Sequence, residues 1–411
     1  WNVIKRWEGR PRDEVVNHLA HLNTAWTLPP PSLATWSSWL YALKVGGEEQ
    51  KRAKARLDSD KLALKSWWIK TMLKTPTPLI ERMTLFWHGH FTSSLNRVNQ
   101  PELFLQQNQL FRKYALGDFK ALLKAVVYNP AMLLYLDGDA NKMGASNENF
   151  ARELLELYTI GDYNEAQMRQ VTRALTGLEV DRVGKVTRFN PATHDPGIMS
   201  FGGQTKNLTP DDIVHILLKD PRTAQNIARK FWHEFVSVRK PDPIVIKSWA
   251  GRFMGADYQI SELLHAVLSS KAFWIEQKKA SRYKAPAELL VGTLRTLPSI
   301  RIPIPKGMTL ESRLVALWES LGQSLFVPPT PAGWPYGEEW LDPQSLPARK
   351  NMLAGFSNAE SNNTMQGLPV SKSKDLIKWL FSAPPQEIPA DYLSQREKIH
   401  KLMQDPNYQL I

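Results

Sequence analysis

The stretch from Ser146 to Gly177, SNENFARELLELYTIGDYNEAQMRQVTRALTG, reads as two consecutive helices, and it sets the class of fold. At about 100° per residue, Phe150, Ala151, Leu154, Leu155, Leu157 and Tyr158 fall on one arc of the first helix, while Glu148, Asn149, Arg152, Glu153 and Glu156 share the other. That is an amphipathic helix. Ser146 or Asn147 supplies an acceptor for the free amides of the first turn, Gly161 a left-handed stop, and Asn164 with Gln167 the capping box of the next helix. The three glutamates have two readings: a solvated face laced by Glu148–Arg152 and Arg152–Glu156 pairs, or a cleft wall. In a cleft, Arg152 would hold one carboxylate ionised while a buried neighbour acts as an acid. Spacing leaves both open.

The same period runs through most of the chain. Val15, Val16, Leu19 and Leu22 precede a break at LPPPS, residues 28–32; Trp36, Trp39, Leu40 and Leu43 start again, and Leu57 to Met72 continue until TPTP at 75–78. Helices are expected over 101–118, over 119–136 with a break at Asn129 and Pro130, and through 209–275, 285–297 and 310–322. Residues 178–205 alternate instead and predict a hairpin near 178–190. The expectation is a mainly α fold: one large multi-helix domain with a short β excursion near 178–205 and a Pro/Trp-rich loop near 327–342. Along it lie an N-terminal helical segment (1–59), a core (60–355) and a helical tail packed on the core (356–411).

The chain has 411 residues and no apolar run near the roughly 18 residues of a membrane span, so no span is expected and it reads as soluble. Cysteine is absent, which excludes disulfides, thiolate metal sites and cysteine nucleophiles and suits an oxidising compartment. Residue 1 is Trp rather than Met, as expected of a chain trimmed of an N-terminal segment such as an export signal. Lys and Arg outnumber Asp and Glu by 52 to 40, a formal charge of +12, which favours acidic partners such as anionic polysaccharide, nucleic acid or lipid headgroups. Nucleic acid is disfavoured among these, because the densest basic run, KRAKARL at 51–57, alternates like an exposed helix and no aromatic-interleaved basic strand occurs.

Residues able to do chemistry gather in a few motifs. His88 and His90 in FWHGHF stand about 200° apart on a regular helix, so they share a metal ion only if the helix breaks at Gly89 or the segment is extended. Further ligands would come from Glu148, Glu153, His194 or Asp195, and nothing resembles HExxH. A histidine paired to a carboxylate across a buried cleft is the alternative. HDPG at 194–197 puts His194 beside Asp195 in a loop, as a site pair or as an Asx turn. His215, His233 and His265 sit singly in helices and read as structural. Prolines and glycines between 328 and 337 fix a rigid loop carrying Trp334, Tyr336 and Trp340, a surface for sugar stacking or peptide docking, or a plug for the bundle end.

LIERMTLFWHGHFTSS, YNPAMLLYLDGD, NENFARELLELYTIG with YNEAQMRQVTRALTG, HDPG with FGGQT, RYKAPAELLVGTLR and LGQSLFVPPTPAGWPYGEEWL with the later Arg349 resemble, in order, the motifs of the bacterial domain of unknown function 1800 family, from about residue 60 to 355. The resemblance implies an exported bacterial protein, often found beside sulfatase-like partners, and so a role in extracellular polymer metabolism. The family positions map here to His88, His90, Asn147, Glu148, Asn149, Arg152, Glu153, Glu156, His194, Asp195, Trp334, Gly337 and Trp340. Gly89 stands where an asparagine is common, and Leu178 where tryptophan is usual.

These readings predict a periplasmic or extracellular enzyme that hydrolyses a polysaccharide, anionic by the charge argument, with a sulfatase-like protein as a possible partner. Glu148 and Glu153 would act as acid and base or nucleophile, assisted by His88, His90, His194 and Asp195. Asn147, Asn149, Arg152, Glu156, Trp334, Tyr336 and Trp340 would hold the sugar, and no cofactor is called for. One rival is a metal-binding enzyme using His88 and His90 with Glu or Asp ligands. The other is a non-catalytic binding or assembly protein of the cell envelope, its polar motifs serving as buried networks. Convergence of these side chains on one solvent-reachable cavity separates enzyme from assembly protein.

Overall fold

Proline decides where many of the helices begin. It occupies the first helical position in Pro78–His90, Pro101–Lys113, Pro130–Tyr135, Pro210–Lys219, Pro221–Phe235, Pro243–Gly255 and Pro286–Thr296. There its missing N–H leaves nothing unpaired and its fixed φ favours the helix. Asn129, Thr209, Asp220 and Asp242, each just before such a proline, accept first-turn amides with their side chains. The structure is a computed structural model that describes residue 7 and residues 9–22, 26–280, 282–298, 300–358 and 372–411.

The architecture is mainly α, as the periodicity requires. The longest described helix, Gly47–Lys74, spans 28 residues, about 42 Å at 1.5 Å per residue. It runs unbroken across position 59/60; its outer end, KRAKARL, is largely exposed as expected. Its inner half buries Leu64, Trp67, Trp68, Ile69 and Met72 against the Pro101–Lys113, Pro286–Thr296 and Leu310–Ser320 helices. One apolar cluster extends from Leu64 to Tyr408 and takes in the C-terminal helices Ser373–Leu380 and Gln395–Gln404. The C-terminal end is also tied back by backbone pairing, with Ile411 N–H donating to Arg282 O at 2.8 Å and Lys284 N–H to Gln409 O at 2.7 Å. Parts of the expected 1–27 helix and of the polar tail near 359–371 lie outside the described residues.

The hairpin forms as read: Leu178–Asp181 pairs antiparallel with Val186–Phe189, and a second small sheet pairs Met199–Phe201 with Gln204–Lys206. The organising stretch differs from its reading in one respect. In the first of its two helices only Asn149–Glu153 is α-helical, and Leu154–Tyr158 widens into a π turn. Thr159 Oγ1 donates to Leu154 O at 2.6 Å, and Gly161, at φ +78°, donates to Leu155 O at 2.8 Å. Asn147 Oδ1 does accept the Asn149 amide at 3.0 Å, and the Asn164/Gln167 capping box is present.

Candidate functional site

Three helices turn a mixed stripe toward one hollow. From Pro78–His90 come Leu79, Arg82, Leu85, Phe86, Gly89 and His90; from Pro221–Phe235, Asn226, Arg229, Lys230, His233 and Glu234; from Pro286–Thr296, Ala287, Glu288, Val291, Gly292, Arg295 and Thr296. Each set repeats at three or four residues, the signature of a single helix face. The Pro/Trp loop closes the fourth side with Trp334, Tyr336 and Trp340, leaving a cavity of about 1170 Å³.

The loop sits where it does because a glycine lets it. Gly333 has φ +99°, and a Cβ there would lie 2.2 Å from Gly89 O. The Trp334 ring lies over Gly89, its edge 3.5 Å from where a Cβ would stand, an ordinary van der Waals contact. Trp334 therefore rides directly on the Pro78–His90 helix. Tyr336, 55% exposed, tilts over His233 with ring centroids 5.1 Å apart, whereas Trp340 is 5% exposed and serves as the loop's anchor.

Most of the charge lining the cavity is already paired. Arg82 bridges Glu234 at 2.9 Å and Glu288 at 2.7 Å, and Arg282 reaches Glu288 at 3.0 Å. Burial pushes the Glu288 carboxyl up, but Arg82, Arg282 and the Ala285 amide outweigh it and hold it at about 2. Glu81 is clamped by Arg112 at 2.6 and 2.8 Å and accepts the Trp68 indole N–H at 2.9 Å. Arg295 donates to three carbonyls, Met72, Leu73 and Thr75, at the end of Gly47–Lys74. Arg229 and Lys230 differ: no ion pair reaches either among the described residues, and burial pushes both pKa values down.

His90 is held in one tautomer. Its Nε2 lies 3.2 Å from Tyr158 O, so it donates there and Nδ1 is left as a bare acceptor, buried and without a partner among the described residues. Burial, then the Lys230 charge, lowers its pKa to about 3, keeping the ring neutral. Asn226 likewise donates to Leu157 O at 3.3 Å and Thr159 O at 2.8 Å. The π turn of the organising stretch thus braces the cavity from behind through its carbonyls.

The other expected site residues do not reach this cavity. The Pro78–His90 helix stays regular through Gly89, so His88 points the opposite way, into the core. It is 2% exposed, accepts from Asn108 at 3.2 Å, meets Phe111 and Phe326 edge-on, and is kept neutral by burial and then by Arg112. Glu148, Arg152 and Glu156 form a surface network around Tyr163, with Arg152–Glu148 at 3.4 Å and Tyr163 to Glu156 at 3.2 Å; the expected Arg152–Glu156 pair is replaced by this tyrosine link. Burial, then Glu156, pushes the half-buried Glu153 carboxyl up, yet Glu153 does not line the cavity. Asn149 donates to Asp137 at 3.2 Å, and Asn147 caps the turn. His194 is sandwiched between Thr176 O at 3.0 Å and Asn207 at 3.2 Å; Asp195 binds Arg173 at 2.7 and 3.2 Å and forms the Asx turn to Gly197 at 2.8 Å. The pair pins a loop to the Glu165–Ala174 helix.

Of the expected catalytic set only His90 lines the cavity, joined by Trp334, Tyr336 and Trp340 of the binding set. His88 and His90 point in opposite directions from the helix, and among the described residues no group of three His, Asp or Glu side chains is placed to hold a metal. Reading from the sequence missed Arg229, Lys230, Arg82, Glu234 and Glu288, and took His233 for a structural residue. For Arg229, Lys230, His233 and Glu234 the signal was the polar stripe at 226, 229/230 and 233/234, spaced i, i+3/4, i+7/8.

Comparison with curated proteins and with solved structures returns no match. The family model described as "Protein of unknown function (DUF1800)" matches residues 4–410, nearly the whole chain, and the protein belongs to that family.

Proposed function

We propose that this protein binds a saccharide chain in the cavity beneath the Pro/Trp loop, in the cell envelope or outside the cell. One observation carries the reading: the cavity combines ring faces with buried polar atoms that have nothing to bond. Trp334 Nε1 is a donor, Gln323 Oε1 and His90 Nδ1 are acceptors, and His233 Nδ1 joins them, all without partners among the described residues. An unmet buried polar atom costs about 1–3 kcal/mol. Sugars relieve that cost well, because each hydroxyl both donates and accepts while the ring's apolar face lies on an aromatic side chain. At about 1170 Å³ the hollow exceeds the roughly 300–1,000 Å³ of ordinary small-molecule pockets, which suits several linked rings.

Binding is favoured over hydrolysis by the state of the lining carboxylates. Glycoside cleavage needs one protonated carboxyl and one free carboxylate. Glu81, Glu234 and Glu288 are each tied to arginine, with Glu288 held at about 2; Glu339, exposed at the cavity rim, is the one lining carboxylate without an arginine among the described residues, where cleavage needs two carboxyls. Glu148 and Glu153 lie outside the cavity. No membrane-crossing helix occurs among the described residues.

Intrinsic tryptophan fluorescence and calorimetry against a panel of acidic and neutral oligosaccharides test the reading. At least one ligand is expected to bind, and Trp334→Ala to weaken it by about tenfold or more, the scale of one lost ring contact and one lost hydrogen bond. Absence of binding across the panel at millimolar concentration refutes it. New reducing ends from any polymer would return the protein to the hydrolases.

A further inference from the structure

We propose that the cavity holds a negatively charged group of its ligand, the carboxylate of a uronic acid or the sulfate ester of a sugar, at a subsite formed by Arg229 and Lys230 on the Pro221–Phe235 helix beside His90. The inference rests on the saccharide reading and narrows it to an acidic chain.

The subsite follows from which charges in the cavity remain unanswered. Of the lining carboxylates, Glu81, Glu234 and Glu288 are matched by Arg112, Arg82 and Arg282, and Glu339 is exposed to water; Arg295 is satisfied by helix-end carbonyls. Arg229 and Lys230 line the same hollow and have no counter-ion among the described residues. Both side chains are half-buried, and withdrawing a cation partly from water without a partner carries a cost; burial correspondingly lowers both pKa values, with Arg229 adding to the effect on Lys230. An oxyanion arriving between them would remove that cost. The neighbouring elements favour side-chain capture over a backbone nest: the first turn of Pro286–Thr296 faces the cavity, but its Ala285 amide is already taken by Glu288 at 2.9 Å.

His90 adds orientation rather than charge. Its Nε2 proton is committed to Tyr158 O, so Nδ1 accepts only. A hydroxyl beside the acidic group would donate to it, as neighbouring sugar hydroxyls do. The ring cannot serve as a third cation, because burial and then the Lys230 charge keep it neutral above about 3.

Two ligand pairs test the subsite by calorimetry on the full chain: trigalacturonate against its methyl ester, and κ-carrageenan tetrasaccharide against its desulfated form. The acidic member of one pair is expected to bind about tenfold tighter or more, with affinity falling as salt rises. The pair that discriminates identifies carboxylate or sulfate as the charge source. Arg229→Gln and Lys230→Gln should each lower affinity for the acidic member about tenfold more than for the neutral one. Because both cations are unpaired, neither variant should lower the melting temperature; a drop would mark them as structural and overturn the subsite. Equal binding of acidic and neutral members, unmoved by either variant, overturns it while leaving the saccharide reading intact. No binding by any of the four removes both.

Discussion

Gly333→Ala tests whether the Pro/Trp loop is seated by backbone contact. A Cβ at this position would stand 2.2 Å from Gly89 O, 3.1 Å from Gly89 C and 3.4 Å from Gly89 Cα. Heavy atoms settle at about 3.5 Å, so the loop must retreat by roughly 1 Å along its contact with the Pro78–His90 helix. The φ of +99° adds to this: an L-residue already pays about 1–2 kcal/mol in the left-handed region, and +99° lies beyond its usual range. The two effects sum to about 2–4 kcal/mol if the loop stays docked. A loop that lifts instead escapes most of that cost and opens the cavity. Urea unfolding followed by tryptophan fluorescence separates the outcomes, since Trp334 packs on Gly89 beside the substituted residue. We expect either a midpoint shift of that size or a smaller shift with a red-shifted emission, and weaker oligosaccharide binding in both cases. Wild-type stability, emission and binding together would refute the contact.

Arg112→Met should destabilise the protein by about 3–5 kcal/mol, because Glu81 would be left as a buried charge with side-chain exposure of 3%. Adding Glu81→Met to that variant should recover much of the loss, which a denaturation series over the four proteins measures. Acid should unfold the protein in two overlapping stages. His90 has a folded pKa of about 3 against an ordinary value of 6.5, so stability is lost as pH falls below 6.5, where only the unfolded chain gains the proton. Glu288, held near 2 against 4.5, contributes stability that is full above 4.5 and lost on the way to 2, on the order of 3 kcal/mol. Glu288→Gln should flatten the lower stage alone; an unchanged slope between pH 4.5 and 2 would show that the Arg82–Glu288–Arg282 cluster is not formed.

The fold was legible because its signals are local. Proline at the first turn, capping side chains one residue before it and apolar stripes of period 3.6 are all written within a dozen residues, as at Asn129–Tyr135 or Thr209–Lys219. The cavity was not, since each wall looks like an ordinary solvated helix face until the walls meet. Arg82 finds Glu234 152 positions away, and no local pattern tells a guanidinium that will be buried from one that will stay wet. His233 was read as structural for the same reason: a lone histidine on a helix says nothing about the tyrosine that will cover it from residue 336. The densest polar motif, by contrast, drew attention for chemistry that its glutamates do not perform at the cavity. Glu148 and Glu156 are answered by Arg152 and Tyr163 within sixteen residues, and local answers of that kind leave no charge to spend on a ligand. The motif's contribution is carried by its backbone, where the π turn offers the carbonyls of Leu157 and Tyr158 to Asn226 and His90. Function in such a chain is better sought among half-buried cations that find no partner nearby than among acids that do, because a charge partly withdrawn from water gains most from a ligand that completes it.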